Sequence, residues 1–366
     1  MIVVVNREQL LPALNTIGGV VEKKQTLPIL GYFLVQVSDG KMQLTATDLE
    51  IDIKTSNFIE ENDAEESFTL PARKFMDICK ALPGGAEIKL TIEDEKVLIR
   101  SGQSRYSLSV LPARDYPTLQ SPPALDSFKI ESRILKHLLS GIAFSMASQD
   151  ARHYLNGALL DLIDNQLNCV ATNGHRLALC KYDLETEHEN QQILLPRKGV
   201  IELGRLLNDS DDDVEVEFGT NFCRFNLRQT TFTTKLIDGK FPDYQRVIPR
   251  EPDKSAILER EQFRQALFRT SLLPNERHKV VKLMFSTDKL LLESNNVNHE
   301  KAEEELEIDY KSDEINIGFN SEYLLNVVDR LTCKEIAIDL TDGLSSIVMR
   351  DPDDDKSLYV VMPIRL

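Results

Sequence analysis

Apolar residues recur along this chain at two spacings, and the two spacings take turns. Leu10, Leu11, Leu14 and Ile17 fall at helical intervals, and so do Phe75, Ile78, Cys79 and Leu82. Leu135, Leu138, Leu139 and Ile142 mark a third helix, and Val200, Leu203 and Leu207 a fourth. Phe263 with Leu267, and Leu324, Val327, Val328 and Leu331, mark two more. Between these segments the alternation has period two: Ile88, Leu90, Ile92; Tyr106, Leu108, Val110; Val214, Val216, Phe218; Cys223, Phe225, Leu227. Period two means strands with one buried face. Ser38-Asp39-Gly40 and Thr341-Asp342-Gly343 stand between strand runs as turn signals. The order helix, strands, helix, strands predicts an α+β fold in which helices pack on antiparallel sheets.

That order is written three times. Arg7, Arg133 and Arg260 each open a helical segment, 126 and 127 residues apart. Ala46-Thr47-Asp48 returns 125 residues later as Ala171-Thr172-Asn173, and weakly as Ser294-Asn295. Leu70-Pro71-Ala-Arg73-Lys74 recurs as Leu195-Pro196-Arg197-Lys198, with Gly318-Phe319-Asn320 as its third counterpart. A repeat of this length is a whole domain rather than a solenoid unit. Two proline-bearing connectors without apolar periodicity, Thr118 to Leu125 and Ile248 to Lys254, separate the copies. The expected domains are residues 1–122, 123–251 and 252–366.

Composition narrows the class. A chain with 42% hydrophobic and 28% charged residues is globular, and no window reaches the roughly 18 apolar residues of a membrane span. Met1-Ile-Val-Val-Val5 lacks the basic stretch and the length of a secretory signal, so a cytoplasmic location with no membrane contact is expected. Five cysteines with no Cys-x-x-Cys read as free thiols of a reducing compartment. The net charge of −16 argues by itself against nucleic acid. Its distribution changes the picture. The six helical windows sum to +6, which leaves −22 on the rest of the chain. That contrast reads either as ordinary solvated helix faces or as a mildly basic layer that attracts a polyanion, contacting phosphates rather than bases.

Catalytic and metal signatures are absent from the sequence. There is no phosphate loop and no His-Glu-x-x-His, and the six histidines show no metal spacing. The acidic runs at 209–213 and 351–355 lack the spaced ligands of a calcium loop and read as solvated loops. No cofactor and no metal are expected, and no catalytic residue is assigned. Thr172-Asn173-Gly174-His175-Arg176-Leu177 reads two ways: as a turn between strands, or as a fragment of an active site with His175 and Asn173 as its working groups. The apolar terminus Tyr359-Val-Val-Met-Pro-Ile-Arg-Leu366 is either a last core strand or part of a binding groove.

Taken together, Thr172 to Leu177, Lys240-Phe-Pro-Asp-Tyr-Gln-Arg-Val247 and Val361-Met-Pro-Ile-Arg-Leu366 resemble the bacterial sliding clamp family, the beta subunit of the replicative DNA polymerase III. Leu27-Pro-Ile-Leu-Gly31 and Leu111-Pro-Ala-Arg-Asp-Tyr-Pro117 fit the same pattern, and the resemblance runs the length of the chain. It departs at Lys24, where arginine is common, at His153 beside Tyr154, where an aromatic pair is common, and at Ile364, where methionine is common.

The resemblance implies three clamp domains per chain, with helices lining the inside and antiparallel sheets outside. Two chains would close head to tail into a ring around duplex DNA, held without regard to sequence. It implies a non-catalytic processivity factor. Its partners would be a clamp-loading ATPase, replicative and translesion polymerases, mismatch repair factors and regulators of replication initiation. Partners of that family insert a Gln-Leu-x-Leu-Phe type peptide into a groove. Carried onto this chain, the groove is Leu155, Thr172, Gly174, His175, Arg176 and Leu177, then Pro242, Arg246 and Val247, then Asn320, Tyr323, Ser346, Val360, Val361, Met362, Pro363 and Arg365. DNA contacts are expected from Lys24, Arg73, Gln149, Tyr154 and Lys198. The seam between subunits would set Lys74, Ile78, Leu82, Arg105, Tyr106 and Leu108 against Leu272, Leu273, Glu303, Glu304 and Glu305. The competing readings are a protein-only scaffold with an acidic surface and an enzyme built on His175 and Asn173.

Overall fold

The computed structural model describes residues 2–21, 27–58, 65–93, 95–119, 123–249, 252–273 and 279–365. Lys24 lies outside them. Six α-helices occur among the described residues: α1 (Arg7–Gly18), α2 (Ala72–Ala81), α3 (Ser132–Ala143), α4 (Arg197–Leu206), α5 (Arg260–Thr270) and α6 (Ser321–Val328). They stand where helical spacing placed them. Leu82, Leu207 and Leu331 each fall just past a helix end, and their N–H groups bond back to Ile78, Leu203 and Val327 at 3.1 Å. All three side chains are buried. The repeat therefore ends its second helix on a leucine plug that closes the last turn and fills the core.

The arginines that open α1 and α5 have a shared task. Arg7 Nε donates to the Cys79 carbonyl at 2.9 Å, and Arg260 Nε to the Cys333 carbonyl at 3.0 Å. Cys79 lies in the last turn of α2, and Arg260 Nη1 also reaches the Val328 carbonyl that ends α6, at 3.5 Å, so each guanidinium satisfies a carbonyl at the end of the second helix of its repeat. Arg133 differs: its Nε pairs with Glu131 and Asp211.

By contact density the chain forms two compact bodies, residues 1–136 with 198–236, and residues 137–197 with 237–366. The first body holds two antiparallel sheets. One runs β1 (Ile2–Asn6), β6 (Glu87–Glu93), β7 (Lys96–Ser101), β8 (Ser104–Ser109). The other runs β5 (Glu66–Pro71), β2 (Tyr32–Ser38), β3 (Lys41–Thr47), β4 (Ile51–Phe58), β16 (Thr230–Lys235), β15 (Phe222–Leu227), β14 (Asp213–Phe218), β9 (Asp126–Glu131). The second body has the same two kinds of sheet. Its eight-stranded sheet runs β13 (Gln191–Pro196), β10 (Gly157–Ile163), β11 (Gln166–Thr172), β12 (Arg176–Asp183), β24 (Ser357–Val361), β23 (Ile347–Arg350), β22 (Glu335–Leu340), β17 (Lys254–Glu259). Its four-stranded sheet runs β20 (Lys301–Glu307), β19 (Lys289–Asn295), β18 (Val280–Ser286), β21 (Ile315–Asn320).

These orders repeat. Every copy contributes one four-strand set of the kind β1-β6-β7-β8 and one of the kind β5-β2-β3-β4. In each eight-stranded sheet two sets of opposite kind join, β4 to β16 in one and β12 to β24 in the other. The middle copy thus gives one set to each body. Strands β8 and β20, the counterparts of those that join, are edge strands in the sheets described. The turn at Asp39-Gly40 has φ of 50° and 68°, the two left-handed residues that a tight hairpin between β2 and β3 requires.

Candidate functional site

In the second body β11 and β12 are linked through Asn173-Gly174-His175, and side chains fix that turn. The Thr172 hydroxyl donates to the Arg176 carbonyl at 2.6 Å and accepts from the Gly174 N–H at 3.1 Å. Asn173 Oδ1 accepts the N–H groups of His175 and Arg176 at 2.9 and 3.0 Å. Gly174 has φ of 86°, left-handed backbone that favours glycine. A Cβ there would also lie 3.1 Å from the Arg152 guanidinium. Arg152 is itself held by Asp150, and its hydrogen bonds hold the Asp150 carboxyl down to about 2.

The chain end is laid beside this turn by the sheet. β12 and β24 pair with Arg176 opposite Val361 and Leu177 opposite Val360. Beyond β24, Met362 N–H donates to the His175 carbonyl at 2.9 Å, and Ile364 N–H to the Gly318 carbonyl at 2.8 Å. Underneath, Leu177, Leu179, Val348 and Val360 pack with Phe241 and Tyr244 into one apolar cluster, with Tyr154 and Ile248 at its margin. Burial pushes the Tyr244 hydroxyl above its ordinary range, so it stays a donor, and it donates to Asp161 Oδ2 at 2.8 Å.

Two aromatic contacts define the rim. The His175 ring stacks on Tyr323 with centroids 6.4 Å apart and planes inclined by 21°. The Arg176 guanidinium lies between Tyr323 and Phe144, 4.7 and 4.9 Å from their centroids, and donates to the Phe144 carbonyl. Its Nε and Nη1 have no hydrogen-bond partner among the described residues. Burial lowers the pKa of Arg176, but a guanidinium keeps its charge in any case.

The expected groove residues therefore fall into two layers. Leu155, Thr172, Leu177, Val360 and Val361 are buried and form the floor and the core beneath it. Gly174, Arg176, Val247, Asn320, Tyr323, Ser346, Met362 and Pro363 are partly exposed, and His175, Pro242, Arg246 and Arg365 are exposed. Asn320 also caps α6, accepting the Glu322 N–H at 2.9 Å. Arg246 is paired with Asp243 at 2.7 Å. An apolar floor with an aromatic and thioether rim and a few cationic groups suits a short amphipathic peptide. It does not suit acid–base chemistry: Asn173 is consumed by the turn and His175 stacks on a ring. Among the described residues no cluster of histidine, cysteine or carboxylate could hold a metal, and all five cysteines are free thiols.

Phe144, Arg152, Phe241 and Tyr244 belong to this surface, and sequence reasoning did not assign them to it. Phe241 and Tyr244 sat inside the quoted 240–247 run as apolar residues. Arg152 carried no local signal, because its role comes from lying over a glycine twenty-two positions away.

Arg73 is exposed in the first turn of α2, and Gln149 is exposed with φ of 58°. Tyr154 is partly buried and packs against the apolar cluster of the second body. Lys198 is ion-paired with Asp48, whose side chain is largely buried. At the seam positions, Lys74 is exposed and Ile78 partly so, while Leu82 is buried within its own body. Arg105, Tyr106 and Leu108 lie on edge strand β8. Leu272 is 66% exposed, and Glu303, Glu304 and Glu305 lie on edge strand β20, where Glu304 takes a two-point ion pair from Arg269 at 2.6 and 2.8 Å.

Comparison with known proteins settles the family. The N-terminal, central and C-terminal domain models of the DNA polymerase III beta subunit match residues 1–120, 129–243 and 245–365. The chain is 42% identical over 363 residues to the beta sliding clamp of Pseudomonas aeruginosa, covering 99% of both. It is also 42% identical over 362 residues to that of Escherichia coli K12, again covering 99% of both. Among solved structures, the Pseudomonas aeruginosa sliding clamp bound to griselimycin superposes with a TM-score of 0.97 at 42% identity over 100% of each chain. The Caulobacter crescentus clamp does so with 0.95 at 32% identity over 100% of each chain. The fold and these matches lead to one conclusion: this chain belongs to the DNA polymerase III beta subunit family, the bacterial beta sliding clamps.

Proposed function

We propose that this protein is a polymerase processivity factor: two copies close head to tail into a ring on duplex DNA, and the surface around His175 and Met362 captures short peptides of its partners. The relatives carry the name of sliding clamps, and one solved relative holds griselimycin. Holding DNA by phosphates alone lets a ring move along it, and a tethered polymerase meets its template at high effective concentration. No catalytic role is assigned. The partners follow from the family: a clamp-loading ATPase, polymerases, mismatch repair factors and initiation regulators, all in the cytoplasm.

The observation that carries the reading is the pair of edges left over by the repeat. In both eight-stranded sheets the joint sets an aromatic residue opposite a smaller aliphatic one: Phe232 opposite Ile53, and Tyr359 opposite Ala178. The counterpart of Phe232 and Tyr359 on β8 is Tyr106, and the counterpart of Ile53 and Ala178 on β20 is Ala302. A third joint of the same kind, made with a second copy, sets Ala302 opposite the partner's Tyr106 and Lys301 opposite its Ser107. It also brings Glu303 opposite Arg105, a favourable charge pair. Sets of opposite kind join, so the contact is head to tail, and two copies joined at both edges make a closed ring.

Cysteines at Ser107 and Lys301 test this register, since directly opposed strand residues lie within disulfide reach. Oxidation of the S107C/K301C protein should give a covalent dimer, closed through two bonds, that stays on circular DNA after loading. A protein that runs as a monomer at micromolar concentration and forms no such bond would defeat the reading. Leu272→Asp with Leu273→Asp should yield folded monomers.

A further inference from the structure

The first body contains a second copy of the joint that bears the proposed groove, with other side chains on it. The Thr47 hydroxyl donates to the Ile51 carbonyl at 2.7 Å and accepts from the Leu49 N–H at 3.2 Å. Asp48 Oδ1 accepts the N–H groups of Glu50 and Ile51 at 2.9 and 2.7 Å. Lys235 N–H donates to the Glu50 carbonyl at 2.8 Å, as Met362 N–H does to His175. This is the Thr172–Arg176 turn, bond for bond. Beside it is a cavity of about 310 Å³ walled by Leu49, Leu119 and Phe222 and, on its polar side, by Thr118, Thr233 and Lys235.

Behind that wall is an unsatisfied carboxylate. Asp52 is 2% exposed and occupies the strand position that Leu177 occupies in the other joint. Its Oδ2 accepts one long bond, from the Leu119 N–H at 3.4 Å, and its Oδ1 has no partner among the described residues. Leu119 and Thr233, the cross-strand neighbour of Asp52, both line the cavity. Burial raises the pKa of Asp52, and Lys54 opposes the shift. Buried acceptors left empty are uncommon and costly, so a ligand that brings a donor recovers that cost. With Lys54 already near and Lys235 at the wall, a further cation is disfavoured and a neutral donor fits better.

We propose that the β4·β16 joint is a second peptide site, one that takes a side-chain amide donor towards Asp52 with a neighbouring aliphatic side chain between Leu49, Leu119 and Phe222. The choice of a peptide rests on reading the β12·β24 joint as a peptide groove; the cavity and the empty carboxylate oxygen do not. Leu49 carries a further mark of a site. It is held at φ of 77°, costly backbone for a leucine, on the cavity wall.

N-acetyl-glutaminyl-leucinamide is the probe, titrated into the full-length protein while methyl and amide NMR signals are followed. Saturable shifts at Leu49 and Leu119 are expected, separate from those at His175 and Met362. Asp52→Leu should weaken the Leu49 response about tenfold, the loss of one hydrogen bond to a charged group. Asp52→Asn, which keeps an acceptor oxygen, should retain it, and neither change should move the His175 response. Absence of shifts at Leu49 and Leu119 at millimolar probe, or equal affinity in Asp52→Leu, overturns the inference. Shifts at Leu49 without any at His175 would support it while overturning the groove.

Discussion

The β4·β16 and β12·β24 joints have the same backbone and opposite interiors. Leu177, Val360 and Val170 stand in one where Asp52, Thr233 and Thr45 stand in the other. The apolar version buries its floor and leaves a rim of His175, Tyr323 and Met362 on which a chain can lie. The polar version keeps two acceptors, Asp52 Oδ1 and Thr45 Oγ1, with no hydrogen bond among the described residues. The frame survives either filling because side chains of Thr and Asp or Asn tie the turn locally, and the ladder ties the strands. What differs is therefore the interior and the surface each joint offers, while the fold is common to both.

The strongest way to break this contrast is to remove the segment that only one joint uses as a rim. Deleting residues 362–366 takes away the strand extension that bonds to His175 and Gly318, along with the Met362 and Pro363 side chains. Binding of a Gln-Leu-x-Leu-Phe peptide should fall by at least about a hundredfold, since one wall of a small contact surface is gone. Dimerisation should be unchanged. Calorimetric titration and light scattering read both. Unchanged peptide affinity would mean that the terminus is a core strand only.

Much of this was legible in the chain. Helical spacing located the six helices of the described residues, because an amphipathic helix must bury a stripe. The repeated arginine, Thr-Asp or Thr-Asn pair and Leu-Pro step marked the copies: Arg7 and Arg260 each bond a carbonyl near the end of a second helix, Thr47 and Thr172 each tie a turn, and the Leu-Pro step leads into α2 and α4. The layering of the site was not legible. Val360 and Val361 look like a ligand-facing apolar run, yet pairing within an eight-stranded sheet buries them. Tyr154 packs on the apolar cluster and Lys198 pairs with Asp48, and such long-range pairings leave no periodic trace.

A smaller effect is expected from exchanging the floor residues. Leu177→Asp places a carboxylate in an apolar cluster and should cost about 3 kcal/mol at neutral pH, by lost packing and desolvation. The reverse change, Asp52→Leu, should gain about 1–3 kcal/mol at neutral pH, because an empty buried acceptor disappears. The sign with pH follows from burial, which raises the Asp52 pKa above its ordinary 3.8. Below that value the group is protonated folded or unfolded, and the penalty is absent. As pH rises from the ordinary value towards the raised folded value the penalty grows, and above the folded value it is complete. The stability gap between the wild-type protein and Asp52→Leu should therefore narrow on going from neutral pH to about pH 3. Denaturant titrations at the two pH values measure it, and a gap independent of pH would show that Asp52 is satisfied in solution.

The smallest effect concerns the turns themselves. Gly174 and Leu49 occupy the same place, with φ of 86° and 77°, but only one is a glycine. A leucine in left-handed backbone is strained by roughly 1 kcal/mol, so Leu49→Gly should be close to neutral or slightly stabilising despite the entropy a glycine adds to the unfolded chain. Gly174→Leu should cost more than the backbone alone, because its Cβ would press on the Arg152 guanidinium, itself fixed by Asp150. It should also reduce peptide affinity, since it displaces the wall beside His175. Melting temperatures of the two variants, compared with peptide titrations of the second, separate strain from recognition. If Leu49→Gly destabilises by as much as Gly174→Leu, the leucine side chain is holding the first joint together through its cavity contacts, and the strain at that position is offset by packing rather than kept for a ligand.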